Sequence, residues 1–334
     1  MTTIRAAVLI LGISLMVISV SVAQQNDLSA QLTKIIGANA NNYLEPLASG
    51  LGAGLNSGIY HSADLHNVLG FDIGVKVGLA TIGTDHKTFD FVLPDQLSYT
   101  DPTTQTTFTL HANSDYNPIV HNSPTFAGAK TGQPVVVSQS SAYVPLRGQT
   151  IFVTPQGFDL SRIPMFAPQA AIGLPFGIEV IGRFLPSTNL PSDAGKINFV
   201  GFGARYDIDQ FIPFCPVDIA VHFMTQKITV DDKSGNKLMS LGGTAFGAEV
   251  SKSFLILTLY GGFQIESSKL TVDSYTTDPI FGQTAKISGF SITGADKSRA
   301  LVGIRFLLAV INIHADYSFS KYPVLTAGVG LTFR

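Results

Sequence analysis

Tryptophan is absent from the 334 residues and cysteine occurs once, at Cys215. A single thiol cannot close an internal disulfide, so oxidative stapling contributes nothing to the fold. Any interfacial aromatic girdle must be built from the 10 tyrosines and 23 phenylalanines. Charge is also scarce: Asp, Glu, Lys and Arg make up 13% of the chain, against roughly 25% in ordinary soluble domains. Basic residues nowhere form a block and the formal charge is −2, which argues against nucleic acid as a partner. After the N-terminus no apolar run approaches the roughly twenty residues of a membrane helix. Low charge without a spanning helix is the combination of a membrane β-barrel, whose strands show lipid only every second residue. Thirty-two glycines and 17 prolines suit strands and turns.

At the N-terminus Arg5 precedes the uncharged run Ala6–Val20, followed by small residues ending at Ala23. The spacing predicts a secretory signal peptide over 1–23, too short to span as a helix. No cysteine lies near the site, so a lipid anchor is not expected there. Loss of Arg5 leaves 20 basic residues against 23 acidic, a formal charge of −3.

The clearest pattern lies in Arg299–Arg334. Leu325, Ala327, Val329, Leu331 and Phe333 share one face of a strand, with Thr326, Gly328, Gly330 and Thr332 on the other. The same alternation places His314 and Asp316 opposite Ile311, Ile313 and Tyr317, and Arg299 and Arg305 opposite Val302 and Ile304. Upstream, Phe71–Ile82 sets Asp72 and Lys76 against Phe71, Ile73, Val75 and Val77. Further strands are expected at Gln169–Leu174, Ile178–Leu185, Ile197–Ile208, Val217–Val230, Leu238–Val250 and Phe254–Glu266.

Ten strands follow, and their connections alternate. Leu-Pro-Phe-Gly, Gln210–Pro216, Ser251–Ser253 and Leu307–Val310 are short; the intervening ones, 83–167 above all, are mostly long. Short turns at one end and long loops at the other are the mark of an outer-membrane barrel. The expected fold is therefore all-β: a transmembrane antiparallel up-and-down barrel of 10–14 strands over residues 67–334, with 83–167 as a proline-rich external loop and strands near Phe108 and Phe152. A bacterial outer-membrane location and a monomer are expected, with outer-membrane lipid as the surrounding partner.

Before the barrel, Leu28, Leu32, Ile35, Ile36, Tyr43, Leu44 and Leu47 recur at helical spacing, which predicts a helix over Asp27–Ala48 ended by Gly50. The run Gly50–Gly58 invites comparison with a phosphate loop. It follows a helix, lacks Gly-Lys-Ser/Thr, and Ser57 breaks the dinucleotide spacing, so nucleotide binding is not indicated. Residues 24–66 read as a helical plug.

Alternation directs Asp72, Lys76, Glu179, Arg183, Arg205, Asp207, Asp218, His222, Glu249, Arg299, Arg305, His314 and Asp316 into the lumen. Both signs are present, as in a salt-bridge network filling a narrow interior rather than a single-sign selectivity lining. Leu44, Leu47, Leu51, Leu55, Tyr60, Ile181 and Tyr260 are the candidates for an apolar pocket between plug and wall. His61, Asp64 and His66 have ligating side chains but no helical histidine pair, so no metal or other cofactor is expected. His314, Asp316 and Ser318 lie at about 6.6 Å per step along one strand face, too far for a nucleophile to reach its base. No Gly-x-Ser-x-Gly elbow occurs either, and an enzyme is not expected.

Asn42-Tyr-Leu-Glu-Pro-Leu47 and Gly54-Leu-Asn-Ser-Gly-Ile-Tyr-His-Ser-Ala63 resemble a family of uncharacterised bacterial outer-membrane proteins carrying a domain of unknown function. Ser123–Gly128, Ala171–Pro175, Glu179–Pro186 and Gly203–Pro213 extend the likeness over most of the chain. The resemblance implies a membrane barrel and no established activity. The layout, plug then barrel, is also similar to that of long-chain fatty-acid transporters, in which a hatch plugs fourteen strands. Three functions follow as expectations: passive transport of a small hydrophobic molecule past a hatch, a non-conducting structural or loop-binding barrel, and, least favoured, a lipid-modifying enzyme.

Overall fold

Period-two alternation becomes, in the computed structural model, ten long antiparallel strands: β1 (Phe71–Thr81), β2 (Arg162–Leu174), β3 (Ile178–Asn189), β4 (Lys196–Asp207), β5 (Asp218–Asp231), β6 (Lys237–Phe254), β7 (Leu257–Val272), β8 (Ser298–Leu308), β9 (Ile311–Phe319) and β10 (Val324–Phe333). The structure describes residues 38–101, 103–189, 195–232, 235–273, 275–276, 286–287 and 289–333. The expected leader and most of the expected helix lie outside them. Each strand pairs with its sequence neighbours, and β1 pairs with β10 from Phe71↔Phe333 to Ala80↔Val324, closing the barrel without an edge. Closure matters because an open edge would leave a row of unpaired backbone groups.

The wall is reversed relative to a soluble barrel. Phe246, Phe263, Val302 and Val329 are half exposed on its outside, while Asp72, Glu249, Arg299 and Asp316 are buried within. Among the described residues no helix is long and apolar enough to cross a membrane.

Short connections lie at one end: Pro175–Gly177, Ile208–Val217, Leu255–Ile256 and Ala309–Val310. β6 runs on to Phe254 because Ser251, Lys252 and Ser253 continue the ladder opposite Tyr260, Leu259 and Thr258, which moves that turn beyond the expected Ser251–Ser253. In the β2–β3 turn Phe176 and Gly177 both take φ 68°, the left-handed pair of a tight hairpin. β2 begins earlier than alternation suggested, at Arg162. Its prolines, Pro164 and Pro168, fall where β2 pairs only with β1, since pairing with β3 starts at Gln169.

The chain divides into two compact units. The first holds the barrel together with Ala48–Gly70. The second comprises, among the described residues, Ala38–Leu47 and the Ile82–Ser161 insertion between β1 and β2. The expectation of an irregular loop over 83–167 is corrected: hairpins pair Thr88–Val92 with Ile119–Pro124, Gln96–Thr100 with Thr107–His111, and Pro134–Val136 with Thr150–Val153. Phe91, Leu93, Leu110, Tyr116, Val135, Val137 and Leu146 form its core. Phe108 pairs with Tyr99 and Phe152 with Val135, so each belongs to a different hairpin.

Among the described residues helix α1 spans Ala38–Leu55; it runs past the expected end at Ala48 and continues through Gly50. The reason is packing. A Cβ on Gly50 would come within 2.7 Å of Ile163 and one on Gly54 within 2.8 Å of Met165, both on β2; a Cβ on Gly52 would come within 2.0 Å of Ser268 on β7. β2 and β7 lie five strands apart around the ring of ten. The glycines are therefore the two sides on which a helix fits between opposite walls of a narrow barrel.

Candidate functional site

The C-terminal half of α1 ends inside the lumen with no basic residue in its own last turn. A helix terminus leaves four carbonyls without intrahelical partners and a partial negative charge. Here each is satisfied. Asn56 N–H donates to Gly52 O at 3.1 Å, Ser57 N–H to Gly54 O at 3.2 Å, and Arg299 Nη2 to Ala53 O at 2.9 Å. Leu55 O accepts from both Arg183 Nη1 and Gln226 Nε2 at 2.8 Å.

Residues 56–66 continue through the lumen and are held the same way. Arg183 Nη2 donates to Ser57 O at 2.7 Å, Gln264 Nε2 to Asn56 O at 3.1 Å, and Gln169 Nε2 and Lys76 Nζ to Ile59 O at 2.9 and 3.3 Å. Arg205 Nη2 donates to Ser62 O, and the Glu179 carboxylate accepts the His66 N–H at 3.2 Å. The backbone of this segment forms no strand, and the wall supplies the partners that a strand would have supplied.

The wall charges also pair among themselves. Arg205 donates to Glu179 at 2.7 Å and to Glu249 at 2.6 Å, and His222 shares a 2.6 Å contact with Glu249. Arg299 grips Glu266 through two bonds of 2.8 Å. Asn312 and Thr332 both donate to Asp72 Oδ2 at 2.6 Å, and Tyr260 OH donates to Asp316 at 3.0 Å. Arg183, 1% exposed, has no carboxylate partner among the described residues; its bonds go to Gln169, Gln226, Leu55 O and Ser57 O.

Of the residues that alternation directed inward, Asp72, Lys76, Glu179, Arg183, Arg205, His222, Glu249, Arg299, Arg305, His314 and Asp316 are buried on the inner wall. Asp207 and Asp218 instead sit at the short-turn rim. Asp207 accepts the Gln210 N–H, and Asp218 accepts the Ser251 hydroxyl at 2.9 Å. Each stands at a strand terminus, at inward parity but only half-buried. Sequence reading passed over the neutral members Gln169, Gln226, Gln264 and Asn312, and Glu266, although all lie at inward parity on recognised strands.

The expected apolar pocket is not formed. Tyr60, Ile181 and Tyr260 pack with Ile59, Ala171, Met224, Ala245 and Leu301 into a filled cluster, with the Tyr60 and Tyr260 rings 6.1 Å apart. Leu55 is fully buried and Leu51 half-buried within the barrel unit, whereas Leu44 and Leu47 belong to the other unit. Two grooves of about 640 and 460 Å³ both open on the outer wall. The histidines of the first motif diverge: His61 lies 3.5 Å from Asp72 and His66 2.6 Å from Glu179. No metal-holding group occurs among the described residues. His314 contacts Asn312 at 3.1 Å, Asp316 accepts from Tyr260, and Ser318 donates to Val324 O at 3.3 Å, so the three form no relay.

A family of unknown function, DUF6588, matches residues 1–333. The chain belongs to that family. No curated protein matches it. Among solved structures, the translocator domain of the autotransporter NalP from Neisseria meningitidis shares 10% identity over 85% of this chain and 93% of that one, with a TM-score of 0.32. The attachment invasion locus protein Ail of Yersinia pestis shares 13% over 80% and 99%, with a TM-score of 0.20. The toluene transporter TodX of Pseudomonas putida shares 8% over 79% and 89%, with a TM-score of 0.24. These scores are too low to bear on function. The barrel has ten strands, not the fourteen of the fatty-acid transporter layout.

Proposed function

We propose that the protein spans the bacterial outer membrane as a β-barrel closed at rest by its own residues 48–66, and that it passes a small solute when this plug leaves the lumen. The single observation that carries the reading is the way the plug is held: by hydrogen bonds from wall side chains to its backbone carbonyls, with its helix stripped to glycine where it meets β2 and β7. An apolar outside with a charged, paired inside is what a lipid-embedded barrel requires.

A hydrophobic solute is supported by one patch. When Tyr60 withdraws, Ala171, Ile181, Met224, Ala245, Tyr260 and Leu301 become an apolar lining in an otherwise polar lumen. The competing reading is a permanently closed barrel that displays the Ile82–Ser161 unit to a partner. It is favoured by the full satisfaction of the α1 C-terminus. Conductance and apolar-solute uptake of refolded protein in liposomes, with and without residues 24–66, separate the two. Flux that rises on deletion supports the conduit; silence in both, with heat-modifiable migration proving a folded barrel, replaces it with the closed reading.

A further inference from the structure

On the outer wall, Lys227 of β5 and Lys269 of β7 stand in register on either side of Gly242 of β6. Neighbouring strands are about 4.8 Å apart, so the two lysine stems rise roughly 10 Å from one another across a strand with no side chain between them. A Cβ on Gly242 would meet nothing within 4 Å. The adjoining row is Thr225, Thr244 and Ser267, with a 2.9 Å bond between the Thr244 and Ser267 hydroxyls. Together these residues line the groove of about 460 Å³. Among the described residues neither lysine makes an ion pair or a side-chain hydrogen bond.

Two features say what fills it. The next outward row towards mid-wall is Phe223, Phe246 and Ile265, each about half exposed, and Phe202 of β4 stands opposite Thr225 at the end of the hydroxyl row. The lysines thus stand where the apolar wall gives way to the long-connection end, and a cation belongs on a barrel wall only at that level. A ligand here meets two positive charges and hydroxyl donors at one end and bare aromatic surface at the other.

We infer that this groove seats one anionic lipid, its phosphate between Lys227 and Lys269 over Gly242 and an acyl chain along Phe202, Phe223 and Phe246. The inference rests on the barrel's spanning a membrane. Exposed lysines at a membrane surface each strengthen binding to anionic lipid about fivefold.

The test is native mass spectrometry of the full chain in zwitterionic micelles titrated with phosphatidylglycerol or phosphatidylcholine. Wild type should retain one phosphatidylglycerol preferentially. Lys227→Gln/Lys269→Gln should weaken it on the order of 25-fold. Gly242→Leu, which fills the groove without changing charge, should also release it, and Lys252→Gln at the opposite end should not matter. Equal retention by the double variant, or equal retention of the zwitterionic lipid, overturns the site. Displacement by inorganic phosphate alone would show an anion site and overturn the lipid. A protein that shows no heat-modifiable barrel and does not enter liposomes would instead defeat the membrane reading.

Discussion

Replacing Arg183 by Met keeps most of its volume and removes its charge, and it tests whether the plug is a separable part. Arg183 makes two bonds to plug carbonyls, to Leu55 O at 2.8 Å and Ser57 O at 2.7 Å. Hydrogen bonds from a charged donor contribute roughly 1.5–3 kcal/mol each. Leu55 O keeps its bond from Gln226 at 2.8 Å, so its loss is partial. A net weakening of plug docking by about 2–4 kcal/mol follows, which raises the undocked fraction about 30- to 900-fold. The assay is single-channel conductance together with labelling of a cysteine placed at Ser57 in a Cys215→Ser background. Expected are frequent openings and faster labelling, with strand content unchanged. A variant that labels and conducts like wild type, while remaining folded, would refute the claim that these carbonyl bonds hold the plug.

Three further outcomes follow from the same geometry. Gly52→Ala places a methyl within 2.0 Å of Ser268 Oγ; overpacking of this kind costs about 1–3 kcal/mol, so the plug of this variant should be cut faster by protease while the barrel keeps its heat-modifiable migration. Val302→Lys puts a charge on the outer wall, where Val302 is 57% exposed; the expected cost in bilayer folding is about 2–4 kcal/mol near the midplane, and an unchanged urea midpoint in liposomes would contradict the facing of β8. In the Ile82–Ser161 unit, burial pushes the Asp115 carboxyl up, but bonds from Ser141 Oγ at 2.5 Å and the His111 N–H at 2.8 Å hold it below its ordinary value. A carboxyl lowered on folding stabilises above its unfolded pKa near 3.9 and loses that contribution as pH falls through the folded value. Asp115→Asn should therefore destabilise this unit at pH 7 by about 1–3 kcal/mol, with the gap closing below about pH 4, as followed by near-ultraviolet circular dichroism.

The barrel was legible because lipid on one side and a packed lumen on the other impose strict alternation. Val324–Phe333 and Phe71–Thr81 show it almost without interruption, and they are the pair that closes the ring. What misled was any residue read by its usual local role. Pro164 and Pro168 argue against a strand until β2 is seen to lack its β3 partner there. Gly50 reads as a helix stop, whereas contact with Ile163 makes glycine the residue that lets the helix continue. The Ile82–Ser161 unit was hidden because its strands are short, such as Thr88–Val92 and Pro134–Val136, and because Thr88–Val92 pairs with Ile119–Pro124 across an intervening hairpin. Tyr60, Ile181 and Tyr260 fall in one buried cluster, and parity cannot tell a pocket from a filled cluster.

The charge pairs of the lumen bear on whether a plug held so thoroughly can leave. Arg205 remains bridged to Glu179 and Glu249, and Arg299 to Glu266, through bonds made within the wall. Removing the plug breaks the Arg205–Ser62 and Arg299–Ala53 bonds without orphaning either cation. The costly event in a buried network is leaving a charge unpaired, and here water entering the lumen meets charges that are already paired. Arg183 and Lys76 are the exceptions: the partners of Arg183 are amides and plug carbonyls, so undocking leaves it with Gln169 and Gln226 alone, and Lys76 gives up its bond to Ile59 O. The energy that keeps the lumen closed is therefore concentrated at these two side chains, Arg183 above all with its two bonds, and the backbone they hold. If so, Arg299→Met should destabilise the barrel more than it opens it, because Glu266 loses its cation and keeps only the Gln264 amide, whereas Arg183→Met should open it more than it destabilises it. The opposite ranking in conductance and urea midpoint would show that plug and wall fold as one indivisible core.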